Sequence, residues 1–183
     1  MQALSDKRIL MVIAFKDFQD DEYGVPWQIF EEAGVKITTV SASMGIATGM
    51  FGKEVTISIT TSEVDVADYD AVVFAGGRGL YDHFDDPNFN RIIKEAVEKG
   101  KILGAICISP VMLAKAGVLR GKRATVWMRP SRPIEKMPDE ILKDNGAIYE
   151  AQSVVVDGKI VTANGPKAAK EFGEKIVEIL SGQ

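Results

Sequence analysis

Apolar residues in this chain fall in short unbroken runs separated by amphipathic stretches. Residues 8–15, RILMVIAF, form a continuous apolar run, the pattern of a parallel strand buried on both faces. Residues 16–21 are polar and read as a loop. Residues 23–33, YGVPWQIFEEA, predict a helix with Pro26 near its start, stopped by Gly34. A second strand is expected over 35–40, and Gly45, Gly49 and Gly52 read as turns. Residues 54–59 alternate apolar and polar, which suits a half-exposed strand in a side ribbon. Residues 70–75, DAVVFA, are another buried strand with Gly76-Gly77 at its carboxyl end. Asp86 can cap a helix whose first residue is Pro87 and which ends near Gly100.

The second half continues the alternation. Residues 101–106 form a short buried strand, and Pro110 opens a helical stretch that Gly117 ends. A strand is expected over 122–127, an ordered loop over 129–136, and a short helix over 138–143. Residues 153–162, SVVVDGKIVT, hold two apolar runs joined by Asp157-Gly158, a hairpin signal. Residues 167–180 form an amphipathic closing helix. Strands alternating with helices imply a mainly parallel sheet covered on both sides, with ligands at the carboxyl ends of its strands.

Length and composition narrow this picture. The chain has 183 residues, 46% hydrophobic and 26% charged, which suits one domain over 1–183, with 1–6 as a flexible tail. A net charge of −4 gives no electrostatic footprint for nucleic acid. No apolar run is long enough to span a bilayer, and the first residues lack the core of a signal peptide. One cysteine cannot form an internal disulfide, which fits a reducing cytoplasm. One cysteine and one histidine argue against a zinc site, and neither a metal nor another cofactor is expected.

The candidate chemistry centres on that cysteine. Cys107 stands between the strand 101–106 and the helix opened by Pro110. A sharp strand-to-helix turn lifts its middle residue toward solvent, and Ala105 and Ser109 are small enough to let the two arms nearly touch. Free N–H groups at the helix start favour a thiolate, against an ordinary value of about 8.5, and the Ile108 N–H can help hold an oxyanion. The alternative is an inert core cysteine, since free Cys is among the most buried residue types. Gly76-Gly77 reads either as the facing half of an oxyanion hole or as a tight turn without a ligand. His83, the only histidine, either reaches a site or sits on the surface among Asp82, Asp85 and Asp86. Arg129, Arg132 and Lys136 read as a solvated loop or as a contact for an anionic substrate.

AVVFAGGRG, GKILGAICISP, LAKAGVLRGKRAT and VVVDGKIVTANGP stand in the order and spacing of the ThiJ/PfpI superfamily, which the chain resembles from about residue 8 to 180. The resemblance implies a flavodoxin-like three-layer sandwich of the class I glutamine amidotransferase kind, a reactive Cys107, and homodimers or hexamers. It also implies partners for the cysteine that are replaced here. Ile108 stands where the peptidase branch has a histidine, and Trp127 where the deglycase branch has one. Tyr81 stands where a glutamate reaches a neighbouring subunit. The glutamate that usually bonds the sulfur aligns with Gln19, with Asp17, Asp20 and Asp21 close by.

Two functions follow. One is a cysteine-dependent hydrolase, an intracellular peptidase or a deglycase/glyoxalase-like enzyme acting on small dicarbonyl adducts. Cys107 would attack, Gly77 and Ile108 N–H groups would hold the oxyanion, and His83 or Tyr81 would move protons. The other is a non-enzymatic stress protein that senses oxidants or binds a small molecule through Cys107. There Gln19, an amide donor at any pH, would hold an oxidised sulfur at the sulfinic stage. A flavodoxin-like electron carrier fits less well, because the acidic KDFQDD after the first strand would repel a phosphate.

Overall fold

In the computed structural model, which describes residues 4–182, the first apolar run becomes strand β1 (Arg8–Val12). The chain then forms β2 (Lys16–Phe18), α1 (Asp20–Glu32), β3 (Lys36–Val40), β4 (Gly45–Gly49), β5 (Glu54–Ile57) and β6 (Ala71–Phe74). The second half gives α2 (Pro87–Glu98), β7 (Ile102–Ile106), α3 (Pro110–Lys115), β8 (Arg123–Ala124), α4 (Pro138–Asp144) and β9 (Ile148–Tyr149). It closes with β10 (Val154–Asp157), β11 (Ile160–Ala163) and α5 (Ala169–Leu180).

The central sheet has six strands in the order β10-β11-β7-β6-β1-β3, all parallel except the β10 edge. From β1 the chain crosses outward to β3, whereas from β6 it crosses the other way to β7. Right-handed crossovers therefore put α1 and α2 on opposite faces. Ile9 through Val12, Ala71 through Phe74 and Leu103 are closed to solvent, because both faces of these strands are covered. On one face α5 lies so close that a Cβ on Gly104 of β7 would come within 2.8 Å of Ile176. Helix α1 packs on α5 where Pro26 meets Gly173. Among the described residues, no helix is long and apolar enough to cross a membrane.

Several expected boundaries move. Residues 16–21 are not a loop: β2 pairs with β4 in a three-stranded side sheet, β2-β4-β5, so Gly45 and Gly49 bound a strand. Helix α1 starts at Asp20, three residues earlier than its apolar pattern suggests. Gln19 is the residue that caps it, accepting the Glu22 N–H at 2.8 Å. Pro26 thus lies inside the helix, and the Glu22 carbonyl loses the N–H that would bond it. The strand expected over 122–127 shrinks to β8, paired with β9. Leu4, expected to lie in a flexible tail over 1–6, is buried and its N–H bonds the Ala33 carbonyl at 3.1 Å; residues 1–3 of that expected tail lie outside the described residues. The Asp86 cap of α2 and the hairpin at Asp157-Gly158 form as the residues dictate.

Candidate active site

Three crossings bring their ends together: the α1 start after β1 and β2, Gly76-Gly77 after β6, and Cys107 after β7. The sheet reverses its winding at β1 and β6, where such folds form their crevices. Cys107 has φ 67°, a left-handed conformation that costs a side-chain-bearing residue about 1 kcal/mol or more. The surroundings hold it there. Its N–H bonds the Ala163 carbonyl at 2.8 Å, and its carbonyl accepts the Trp127 N–H at 2.9 Å. Ser109 Oγ ties the following turn to the Ile106 carbonyl at 2.7 Å and the Phe74 carbonyl at 3.1 Å.

The glycine pair is required by space. A Cβ on Gly76 would stand 2.2 Å from Glu22 Oε2 and 2.5 Å from the Cys107 Cβ. Gly77 has φ 118°, and a side chain there would strike the backbone of residues 17–19 within 2.7 Å. With both side chains absent, the Gly77 N–H and the Ile108 N–H act on the sulfur, and the Gly76 N–H acts on Glu22.

Glu22 is the residue the sequence reading missed. It is wholly shielded from solvent, and its carboxyl faces the Cys107 thiol. Neither carboxyl oxygen has a hydrogen bond of good geometry; the thiol and the Gly76 N–H act on it, and the charge of Asp21 adds a smaller effect. Burial pushes its pKa up from 4.5 to about 8, against the smaller lowering effects of the thiol and the N–H. At neutral pH Glu22 is therefore mostly a protonated acid, able to donate to sulfur.

Cys107 departs from expectation in a related way. It is only 9% exposed rather than open to solvent. Burial pushes its thiol well up, the Glu22 charge and hydrogen bond push it further, and the two N–H groups pull it down. Helix α3 has only six residues, and its start does not outweigh burial. The push from Glu22's charge disappears whenever Glu22 is protonated. Thiol and carboxyl thus form a coupled pair whose first ionisation is set by their shared burial.

The other candidates lie as follows. Gln19 is the cap of α1, and its N–H donates to the Gly76 carbonyl at 2.9 Å; the role expected of it at the sulfur falls to Glu22. An acidic residue at the third helical position usually reaches back to the cap N–H. Here Gly76 has taken that N–H, so the Glu22 carboxyl turns to Cys107 instead. The signal was QDDE at a helix start, hidden because Pro26 made the helix seem to begin later. His83 stacks on Phe89 with ring centres 4.6 Å apart, and its Nδ1 lies 3.2 Å from Asp86. It belongs to the α2 cap rather than to the thiol. Tyr81 accepts the Ser131 N–H at 3.0 Å, and the Trp127 ring N–H bonds the Arg129 carbonyl. Both hold the loop 128–137, as does Arg132 through Asp82 at 2.6 Å.

A six-stranded, mainly parallel sandwich with a cysteine at a left-handed elbow and a buried glutamate against it defines a class of thiol-bearing flavodoxin-like proteins. The sequence places the chain within it: residues 7–179 match the DJ-1/PfpI family, to which this protein belongs. An uncharacterized protein of Methanocaldococcus jannaschii is 40% identical over 178 residues, 97% of this chain and 84% of that one. A Bacillus subtilis protein, YraA, whose name proposes a cysteine protease, is 31% identical over 93% of this chain and 97% of its own. The protein named deglycase PfpI from Pyrococcus furiosus is 28% identical over 93% and 98%. The crystal structure of a ThiJ/PfpI domain protein from Brachyspira murdochii superposes with a TM-score of 0.88 at 34% identity, covering 96% of this chain and 97% of that one.

Proposed function

We propose that the chain is a cysteine-dependent enzyme acting on small reactive carbonyls, of the deglycase or glyoxalase-like kind, with Cys107 and Glu22 as its working pair. The observation that carries this reading is Glu22, a buried acid of pKa about 8 set against a thiol that is itself only 9% exposed. Relatives named deglycase support it.

The step needs one proton to move. The pair loses a proton as pH approaches 8, leaving one proton shared between sulfur and carboxyl. The sulfur adds to the aldehyde carbon, forming a C–S bond, and the π pair of the C=O moves onto oxygen. The Gly77 and Ile108 N–H groups hold that oxygen, and the remaining proton, delivered by Glu22, neutralises it as a hemithioacetal. With a 2-oxoaldehyde, transfer of a proton between its two carbons and addition of water would give the 2-hydroxy acid and free the thiol. Peptide cleavage fits less well, because Ile108 and Trp127 supply no acid for a leaving amine and His83 is engaged elsewhere.

Methylglyoxal consumption by the purified protein tests this. Cys107→Ala should abolish it, and Glu22→Gln should lower it by about a hundredfold. The wild-type rate should rise with pH, passing half its maximum near 8. Turnover that survives Cys107→Ala overturns the proposal, as does brisk peptide cleavage with no carbonyl consumption. A second reading, oxidant sensing, rests on the same protonated carboxyl, which can donate to an oxidised sulfur. It is favoured if graded peroxide adds oxygen to Cys107 before the seven methionines while carbonyl turnover is absent.

A further inference from the structure

The opposite end of the sheet holds a second concentration of charge. A cavity of about 300 Å³ opens between the start of β7 and the end of α5. Lys7, Lys99, Lys101 and Lys159 line it, with Asp70 as its one carboxylate and Ile179 on an apolar wall. Three separate stretches of a chain with net charge −4 supply these four ammonium groups.

Their partners do not neutralise them. Lys7 Nζ lies 3.3 Å from Asp70, whose other oxygen accepts the Arg8 N–H at 2.9 Å. Lys101 Nζ donates to the Ala67 carbonyl at 3.0 Å, and Lys159 Nζ to the Gly100 carbonyl at 2.6 Å. A carbonyl orients an ammonium group but leaves its charge and two of its three N–H bonds available. Helices α2 and α5 both end here, and each carboxyl terminus presents about half a negative charge. Together they offset about one of the four positive charges, and Asp70 offsets another. About two remain, on groups already aimed by the backbone.

We infer that this cavity binds a small phosphorylated molecule, its dianionic phosphate held by the lysines and its body against Ile179. The lysines would supply charge-assisted hydrogen bonds. The site is separate from Cys107, at the other end of β7.

Calorimetric titration of the whole protein with inorganic pyrophosphate and with orthophosphate, at low salt, tests the inference. Saturable binding is expected, weakened roughly tenfold or more by the double change Lys99→Gln, Lys101→Gln. Cys107→Ala should bind as the wild type does. Lys170→Gln with Lys175→Gln, on the exposed side of α5, should leave affinity unchanged. If the double variant melts too early to titrate, Lys7→Gln is judged by the same criterion. Absence of saturable binding overturns the inference. So does affinity unmoved by the cavity changes, or equal loss in the α5 control, which would mark diffuse ion binding.

Discussion

At the carboxyl end of β7 the chain keeps one thiol and one carboxyl almost out of water; at the amino end of the same strand, roughly 17 Å away, it leaves four ammonium groups close to it. The contrast separates two ways of controlling charge. At the Cys107 end, burial decides which group is ionised: Glu22 moves to about 8 although the N–H groups around the pair favour negative charge. At the lysine end the groups line an open cavity, and geometry decides where their charge is directed. The first arrangement responds to pH and resists salt, whereas the second responds to salt.

That contrast can be broken most forcefully at Gly76. Gly76→Ala puts a methyl into the carboxyl and the thiol's own Cβ, and should destabilise the fold by about 3 kcal/mol or more in denaturant titration. Melting like the wild type would mean that the loop yields there and that the close contact is not needed. Next in size is the pH dependence of stability. Unfolded Glu22 ionises near 4.5 and folded Glu22 near about 8, so between them the folded chain keeps a proton that the unfolded chain releases. Stability therefore falls as pH rises through that window, by a few kcal/mol in all. Glu22→Gln should flatten the decline; a slope that survives it would place the titrating group elsewhere. Smallest is the lysine end. Lys99→Gln removes one of several like charges and should stabilise by a few tenths of a kcal/mol at low salt, an effect gone at high salt. A gain that persists in salt would show that local packing, not repulsion, was relieved.

Much of the fold was legible because its signals are local. Buried strands such as residues 71–74 read as unbroken apolar runs, and Asp86-Pro87 and Asp157-Gly158 carry their cap and turn chemistry within two residues. The elbow at Cys107 was legible from the small residues around it. Its burial was not, since that depends on Glu22, Gly76 and Trp127, which are brought together from distant stretches. Glu22 itself was hidden by a conflict of local signals, a proline at position 26 that suits a helix start and an acidic first turn, Asp20 to Glu22, that precedes it by a full turn. The sequence reading followed the proline; the structure follows the Gln19 cap. The lysine cavity left no motif at all, because its members are spread from residue 7 to residue 159.

Pro26 has a mechanical consequence beyond the helix boundary. The rung it removes from α1 is the one at the Glu22 carbonyl, while Asp20, two residues earlier, is pinned to the Phe51 and Lys53 N–H groups at 2.9 and 2.7 Å. The carboxyl is thus mounted on a peptide with slack, between a fixed anchor and the remaining helix. Such a mount has one tie fewer than an unbroken helix would give it. A sulfur that gains a carbon or an oxygen becomes larger, and a backbone with one tie fewer resists that growth less.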